Sequence, residues 1–241
     1  MSKTYYFISD IHLGLEDKQS EHEKEAKLVS FLYSIMDKAD ELFIVGDLFD
    51  YWFEYKRVYQ KGYFRTFTAL QDLVRKGVII HYFIGNHDFL HRNFFADTIG
   101  VKMYHDGEYF TLNDKKFFIA HGDGLIANDL GYKLLKKVLR NKCTQWLYSK
   151  IHPDLGIRIA SGSSKSSRKY TTRKDYGEQD SLYEASKKYI DGGCEYVLFG
   201  HSHKQDILPY QNGFYINLGS WLEAPCYGIF TEQNFSIVDW K

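Results

Sequence analysis

No stretch of this 241-residue chain approaches the eighteen consecutive apolar residues of a membrane-spanning helix. Its first residues hold one lysine and then an aromatic run that already carries Asp10, so neither a spanning helix nor a secretory leader is expected. Cysteine is scarce: Cys143, Cys194 and Cys226 stand far apart. That spacing suits reduced thiols in the cytoplasm better than a disulfide framework. Net charge is absent, with 31 basic and 31 acidic residues, and no internal repeat is visible. What remains is a chain with 44% hydrophobic residues, 17% of the total being aromatic, long enough to bury a full core as a single domain over 1–241.

The apolar residues fall into short runs with a common ending. Tyr5–Ser9 leads into Asp10-Ile11-His12, Leu42–Val45 into Gly46-Asp47, and Ile79–Ile84 into Gly85-Asn86-His87-Asp88. Phe117–Ala120 leads into His121-Gly122-Asp123, and Tyr196–Phe199 into Gly200-His201-Ser202-His203. Continuous apolar runs of this length read as strands buried on both faces, and ligands in open α/β sheets bind beyond the strands' carboxyl ends. Five such endings in one chain would bring acid, amide and imidazole groups to one sheet edge.

The intervening segments read as helices over 21–36, 64–76 and 180–190, with closing strands near 214–218, 226–230 and 235–239. That order predicts an α/β sandwich. Between Tyr132 and Lys174 lie twelve Lys or Arg and one acid, Asp154, leaving the opposite excess elsewhere. Leu134, Leu135, Val138, Leu139, Trp146 and Leu147 recur there at helical spacing, opposite Lys133, Lys136, Lys137 and Arg140. This basic amphipathic helix either packs its stripe on the core or meets a membrane surface or substrate. The polar, basic stretch Ser161–Lys174 reads as a loop. Its Ser163, Lys165, Arg168 and Lys169 either meet substrate phosphates or lipid headgroups, or are simply solvated.

Asp, Asn and His without cysteine are oxygen and nitrogen donors suited to manganese, iron or zinc. Asp10, His12, Asp47, Asn86, His121, His201 and His203 number seven, too many for one tetrahedral ion, so two are implied. A close metal pair bridged by a carboxylate is suited to phosphoryl chemistry.

The ordered set D-x-H, G-D-x-x-D, G-N-H-D, H-G and G-H-x-H resembles the calcineurin-like metallophosphoesterase superfamily. Lys38–Trp52 (KADELFIVGDLFDYW), His121–Lys133 (HGDGLIANDLGYK), Gly200–Lys204 (GHSHK) and Leu218–Trp221 (LGSW) resemble, within it, the UDP-2,3-diacylglucosamine hydrolases of lipid A biosynthesis. The resemblance covers essentially the whole chain. It implies a four-layer α/β/β/α sandwich with a basic helical insertion over 125–175 acting as a lid over acyl chains. It further implies one metal on Asp10, His12 and His203, another on Asn86, His121 and His201, and Asp47 between them. Manganese is the expected ion, with iron or zinc as alternatives. Asp50 would orient His87, and His87 would act on the scissile phosphate and leaving group. Well-studied lipid A hydrolases resemble G-N-R-D here, so His87 stands where they place an arginine. The implied reaction cleaves the pyrophosphate of a UDP-linked diacylated sugar at the cytoplasmic face of an anionic inner membrane. A nuclease, another small-molecule phosphodiesterase and a non-catalytic scaffold are the alternatives, and nucleic acid is not the expected partner. His22, His81, His91, His105 and His152 lie off the pattern and read as surface or packing residues. Asp88 and Asp123 read as acceptors for ligand N–H groups or as turn residues.

Overall fold

The structure, a computed structural model, describes residues 2–15, 18–125, 137–139, 141–156, 178–222 and 224–241. The serine-rich stretch 161–174 and, from the amphipathic segment before it, Lys133, Leu134, Leu135, Lys136 and Arg140 lie outside the described residues.

Two mixed sheets face each other. The first uses β1 (Tyr5–Ile8), β2 (Glu41–Val45), β3 (Ile79–Phe83), β4 (Lys102–Tyr104), β10 (Cys226–Thr231) and β11 (Asn234–Asp239), in the order β11-β10-β1-β2-β3-β4. The second uses β5 (Glu108–Leu112), β6 (Lys115–Ile119), β7 (Tyr196–Phe199), β8 (Gln205–Tyr210) and β9 (Gly213–Leu218), in the order β5-β6-β7-β9-β8. Helices α1 (Lys18–Ile35) and α2 (Phe64–Arg75) and a π-helical turn (Phe94–Ile99) cover the first sheet. α3 (Lys142–Tyr148) falls within 125–175, the stretch expected as an insertion, and α4 (Glu178–Asp191) covers the second sheet.

Strand periodicity explains why the runs are apolar throughout. Successive side chains leave a strand on opposite faces, and here both faces are dry. Phe7, Phe43 and Val45 point between the sheets, against Phe117, Ile119, Leu198 and Ile216. Their neighbours Ile8, Leu42 and Ile44 pack on Leu28, Phe31, Leu70 and Leu73 of α1 and α2. On the far side Val197, Phe199 and Tyr215 meet Leu182 and Ile190 of α4. Three apolar interlayers thus make the expected α/β/β/α sandwich. Cys194 and Cys226 are buried thiols and Cys143 is exposed.

The topology puts the five endings together. β1, β2 and β3 pair in parallel, as do β6 and β7, so their carboxyl ends share one rim of each sheet. Three strands and the π-helical turn escaped the periodicity. β5 and β6 are joined by Asn113-Asp114 and β10 and β11 by Glu232-Gln233, all four at positive φ, the geometry of tight two-residue hairpins. β8 carries Pro209, tolerated because it is an edge strand.

At the opposite end of the first sheet, buried Glu41 accepts from Lys3 Nζ and faces His81 Nε2, each at 2.9 Å, and His81 Nδ1 meets Tyr104 Oη at 2.9 Å. His81 is thus a packing residue, stacked on Phe43 at 4.4 Å. The hydrogen bond from His81 holds the Glu41 carboxyl below its ordinary 4.5, against the upward pull of burial. A depressed carboxyl stabilises the fold above its unfolded pKa and loses that contribution as pH falls through its folded one. Glu41→Gln should therefore cost about 1–3 kcal/mol at neutral pH. The deficit, read from urea melts across pH, should shrink as pH drops below 4.5, the ordinary value.

Candidate metal centre

All seven residues expected as ligands converge where the carboxyl rims of the two sheets meet. Asp10 and His12 follow β1, Asp47 follows β2, Asn86 follows β3, His121 follows β6, and His201 and His203 follow β7. Asp10, His12, Asp47 and His121 are buried. Five of the seven, Asp10, His12, Asp47, His201 and His203, have left-handed backbones with φ between +51° and +69°. Such conformations in non-glycine residues cost on the order of 1–3 kcal/mol each and persist only where the surroundings fix them.

Main-chain bonds between neighbouring loops of the first sheet hold those at Asp10, His12 and Asp47. Ile11 N and His12 N both donate to Asp47 O at 3.0 Å, Leu13 N to Leu48 O at 2.9 Å, and Asp50 N back to Leu13 O at 2.9 Å. Lys24 Nζ, buried in α1, donates to His12 O at 2.8 Å, and Ser220 Oγ to Asp10 O at 3.0 Å. Two glycines permit the close approach. A Cβ at Gly85 would lie 2.0 Å from Asp47 Oδ1, and one at Gly200 would lie 2.1 Å from Ser9 Oγ and 2.5 Å from Asp10 Oδ2.

The side chains form two nests around a shared carboxylate. In the first, His12 Nε2 and His203 Nε2 stand 3.1 Å apart, 3.8 and 3.4 Å from Asp10 Oδ1. In the second, Asn86 Oδ1 lies 2.9 Å from His121 Nε2 and 2.8 Å from His201 Nδ1. Asp47 Oδ2 stands between them, 3.9 Å from His12 Nε2 and 3.3 Å from His121 Nε2. His87 is close by, its Nδ1 3.4 Å from Asp50 Oδ1 and 3.2 Å from Asp50 O, and its ring edge-on to His12 at 4.8 Å. Asp50 Oδ1 also stands 3.5 Å from His12 Nδ1. By distance alone, His12, Asp47 and His87 could hold an ion as well.

These residues fit divalent cations on the evidence of their own atoms. Ser9 Oγ and His201 N hold Asp10 Oδ2, yet the buried Oδ1 accepts no hydrogen bond and faces two imidazole nitrogens. A buried carboxylate oxygen without a partner is costly unless a cation meets it. His121 Nδ1 is tied to Val45 O at 2.9 Å, which turns Nε2 toward the cluster, the usual arrangement of a ligating imidazole.

The electrostatics agree. Burial pushes the Asp10 and Asp47 carboxyls up, but His203 and His121 outweigh it at Asp10, and His121 and His87 at Asp47. Asp10 ends below the carboxylate range and Asp47 well below it. Burial pulls His121 down, but Asp47 overrides it and raises His121 to about 10. Burial, then the charge of His121, drives His201 down to about 4. Two ionised carboxylates in the interior are thus balanced by imidazolium in the metal-free protein, and metal would take that role on displacing the protons.

Several residues that hold the site drew no special notice in the sequence. Ser9 adjoins Asp10, a position that could have signalled its role. Asp88, expected either as an acceptor for ligand N–H groups or as a turn residue, is buried and takes the second role. Its carboxylate accepts from Leu48 N and Gly85 N, each at 2.9 Å, and from Tyr82 Oη, lacing the β2 and β3 loops together. Glu54 Oε2 accepts from the amides of Arg92, Asn93 and Phe94 and so caps the π-helical turn. His91 is buried among Trp52, Tyr82 and Phe95, a packing residue, and His22 and His152 are surface residues. Asp88→Ala strands two buried amides and should lower stability by about 2–4 kcal/mol in denaturant melts. A cost under ~0.5 kcal/mol would contradict the lacing role.

Comparison with known proteins converges on one family. The calcineurin-like phosphoesterase family profile matches residues 3–205. A UDP-2,3-diacylglucosamine hydrolase of Porphyromonas gingivalis is 30% identical over 95% of this chain and 95% of its own length. A protein of the same name from Histophilus somni is 30% identical over 92% and 93%. Among solved structures, an archaeal phosphodiesterase shares the fold with a TM-score of 0.51 at 13% identity, covering 98% of this chain and 99% of its own. The chain therefore belongs to the calcineurin-like phosphoesterases, hydrolases of phosphoric ester and anhydride bonds that use a dinuclear divalent-metal site.

Proposed function

We propose that this protein hydrolyses the pyrophosphate of UDP-2,3-diacylglucosamine to UMP and 2,3-diacylglucosamine 1-phosphate. The observation that carries the reading is similarity to hydrolases of that name over more than nine-tenths of both chains. The whole chain acts as one domain, with 125–175 as a basic insertion within it. Water adds to one phosphorus of the pyrophosphate, and the bridging oxygen leaves with the other.

Asp10, His12 and His203 would hold one ion and Asn86, His121 and His201 the other, with Asp47 available to both; manganese would suit these donors, as would iron and zinc. The ions supply Lewis acidity toward the phosphoryl group and water. The protein's own residues do the rest. Asp47 Oδ1 accepts from His87 N at 2.8 Å, so the shared carboxylate also fixes the start of the His87 side chain. Asp50 holds the His87 proton at Nδ1, and Nε2 is the atom that exchanges a proton with the leaving oxygen.

The insertion supports a lipid partner. Val138, Trp146 and Leu147 are exposed, so these members of the apolar stripe do not pack on the core. Lys137, Lys142 and Lys150 are exposed near them in sequence, with Lys150 Nζ 5.2 Å over the Trp146 ring. Among the described residues no helix is long and apolar enough to cross a membrane. Attachment to the cytoplasmic face of an anionic bilayer through this segment fits both features.

Purified protein should cleave the diacylated sugar nucleotide and leave DNA intact; DNA cleavage without action on the lipid substrate would refute the assignment. Asp47→Ala should retain fewer than two ions by elemental analysis and lose turnover. His87→Ala should keep the metal and lose roughly 10²- to 10⁴-fold in rate, whereas loss of metal would make His87 a ligand. Charge reversal at Lys137, Lys142 and Lys150 should weaken binding to anionic vesicles, each lysine contributing roughly 1 kcal/mol that salt screens. Hydrolysis of a small soluble diester should stay near normal, and vesicle binding unchanged by the reversal would contradict the membrane reading.

A further inference from the structure

The described part of the insertion meets the rest of the protein through tyrosines. α3 buries none of its residues, and Trp146 and Leu147 are 59% and 62% exposed. Tyr148, at the end of α3, turns the other way and packs on Phe53 at 4.9 Å, which lies 4.4 Å from Tyr55. Tyr51 Oη donates to Tyr148 Oη at 2.8 Å, Tyr148 Oη donates onward to Gly156 O at 2.6 Å, and Tyr55 Oη donates to Ile151 O at 3.2 Å. Gly156 seats beneath this cluster, where a Cβ would come within 3.0 Å of both the Tyr148 and the Tyr55 hydroxyl.

The core end of this chain of hydroxyls abuts the reacting site. Tyr51 follows Asp50 directly, and Asp50 is the residue that faces His87 Nδ1 and His12 Nδ1. The backbone around it has little slack. Asp50 N is bonded to Leu13 O on one side, and Trp52 is buried against Phe49 at 4.7 Å on the other. A displacement of the Tyr51 ring is therefore carried to Asp50 rather than absorbed by a loose loop.

We infer that Tyr148 is a positioning residue for the hydrolysis: through Tyr51 it sets the Asp50 carboxylate, and through Asp50 the His87 ring. Docking of the insertion and alignment of His87 are then one event, so the insertion contributes to turnover as well as to substrate binding. The inference rests on the placement of His87 beside the reacting phosphoryl group.

Tyr148→Phe keeps the ring on Phe53 and removes only the hydroxyl. The probe is bis(4-nitrophenyl) phosphate, a soluble diester with no acyl chains for the insertion to bind. Misplacement of a catalytic group is expensive, and kcat on this diester should fall roughly tenfold, with KM, metal content and Tm unchanged. Tyr51→Phe should produce the same fall, and the double variant no more than either alone. In a His87→Ala background Tyr148→Phe should have no further effect. Wild-type kcat for Tyr148→Phe on the diester would overturn the inference, as would a loss confined to the diacylated sugar nucleotide. So would a tenfold loss that persists in full when His87 is already absent. Because the diester carries no lipid, its turnover stays readable if the wild-type protein proves inactive on the diacylated sugar nucleotide.

Discussion

Asp10 and Asp47 stand ionised where water hardly reaches, at the seam between two sheets, and the surrounding structure is arranged to make that tolerable. An isolated buried carboxylate would neutralise itself; here imidazoles from both sheets surround each one. Asp47 in turn holds His121 up at about 10, against the downward pull of burial. The arrangement suits divalent cations because it already concentrates negative charge and donor atoms in two adjoining nests.

Bringing donors from five strand ends to one point has a conformational cost, visible as left-handed backbones at five of the seven residues. Bonds that cross from one loop to the next hold those conformations: Ile11 and His12 onto the Asp47 carbonyl, Lys24 onto the His12 carbonyl, and Asp88 onto the Leu48 and Gly85 amides. The parallel pairing of β1, β2 and β3 and of β6 and β7 sets the spacing of those loops. The fold's task is to keep the two rims in register, and the three apolar interlayers supply the rigidity.

Much of this was legible before any coordinates. Apolar runs ending in Asp, Asn or His carry their own meaning, because a doubly buried strand has no other place to deliver polar groups than its ends. The layered fold and the convergence of Asp10, His12, Asp47, Asn86, His121, His201 and His203 follow from that pattern together with the family resemblance. β4, β5 and β8 were missed because they are short or half-exposed, and the turn after β5 uses Asn113-Asp114 where glycine is the stronger signal. The supporting residues were missed for a different reason. Lys24 and Glu54 act on backbone groups far along the chain or in neighbouring loops, and nothing in a linear pattern marks a side chain that fastens someone else's carbonyl or amide. The tyrosine contacts between 51–55 and 148–156 are of the same kind.

We propose that the two nests hold two cations with Asp47 common to both. Crystals grown with manganese and measured at its absorption edge test it most directly. Two anomalous peaks are predicted, one bounded by Asp10, His12 and His203, the other by Asn86, His121 and His201, with Asp47 touching both. A single peak, or one ligated by His87 in place of these residues, would contradict it.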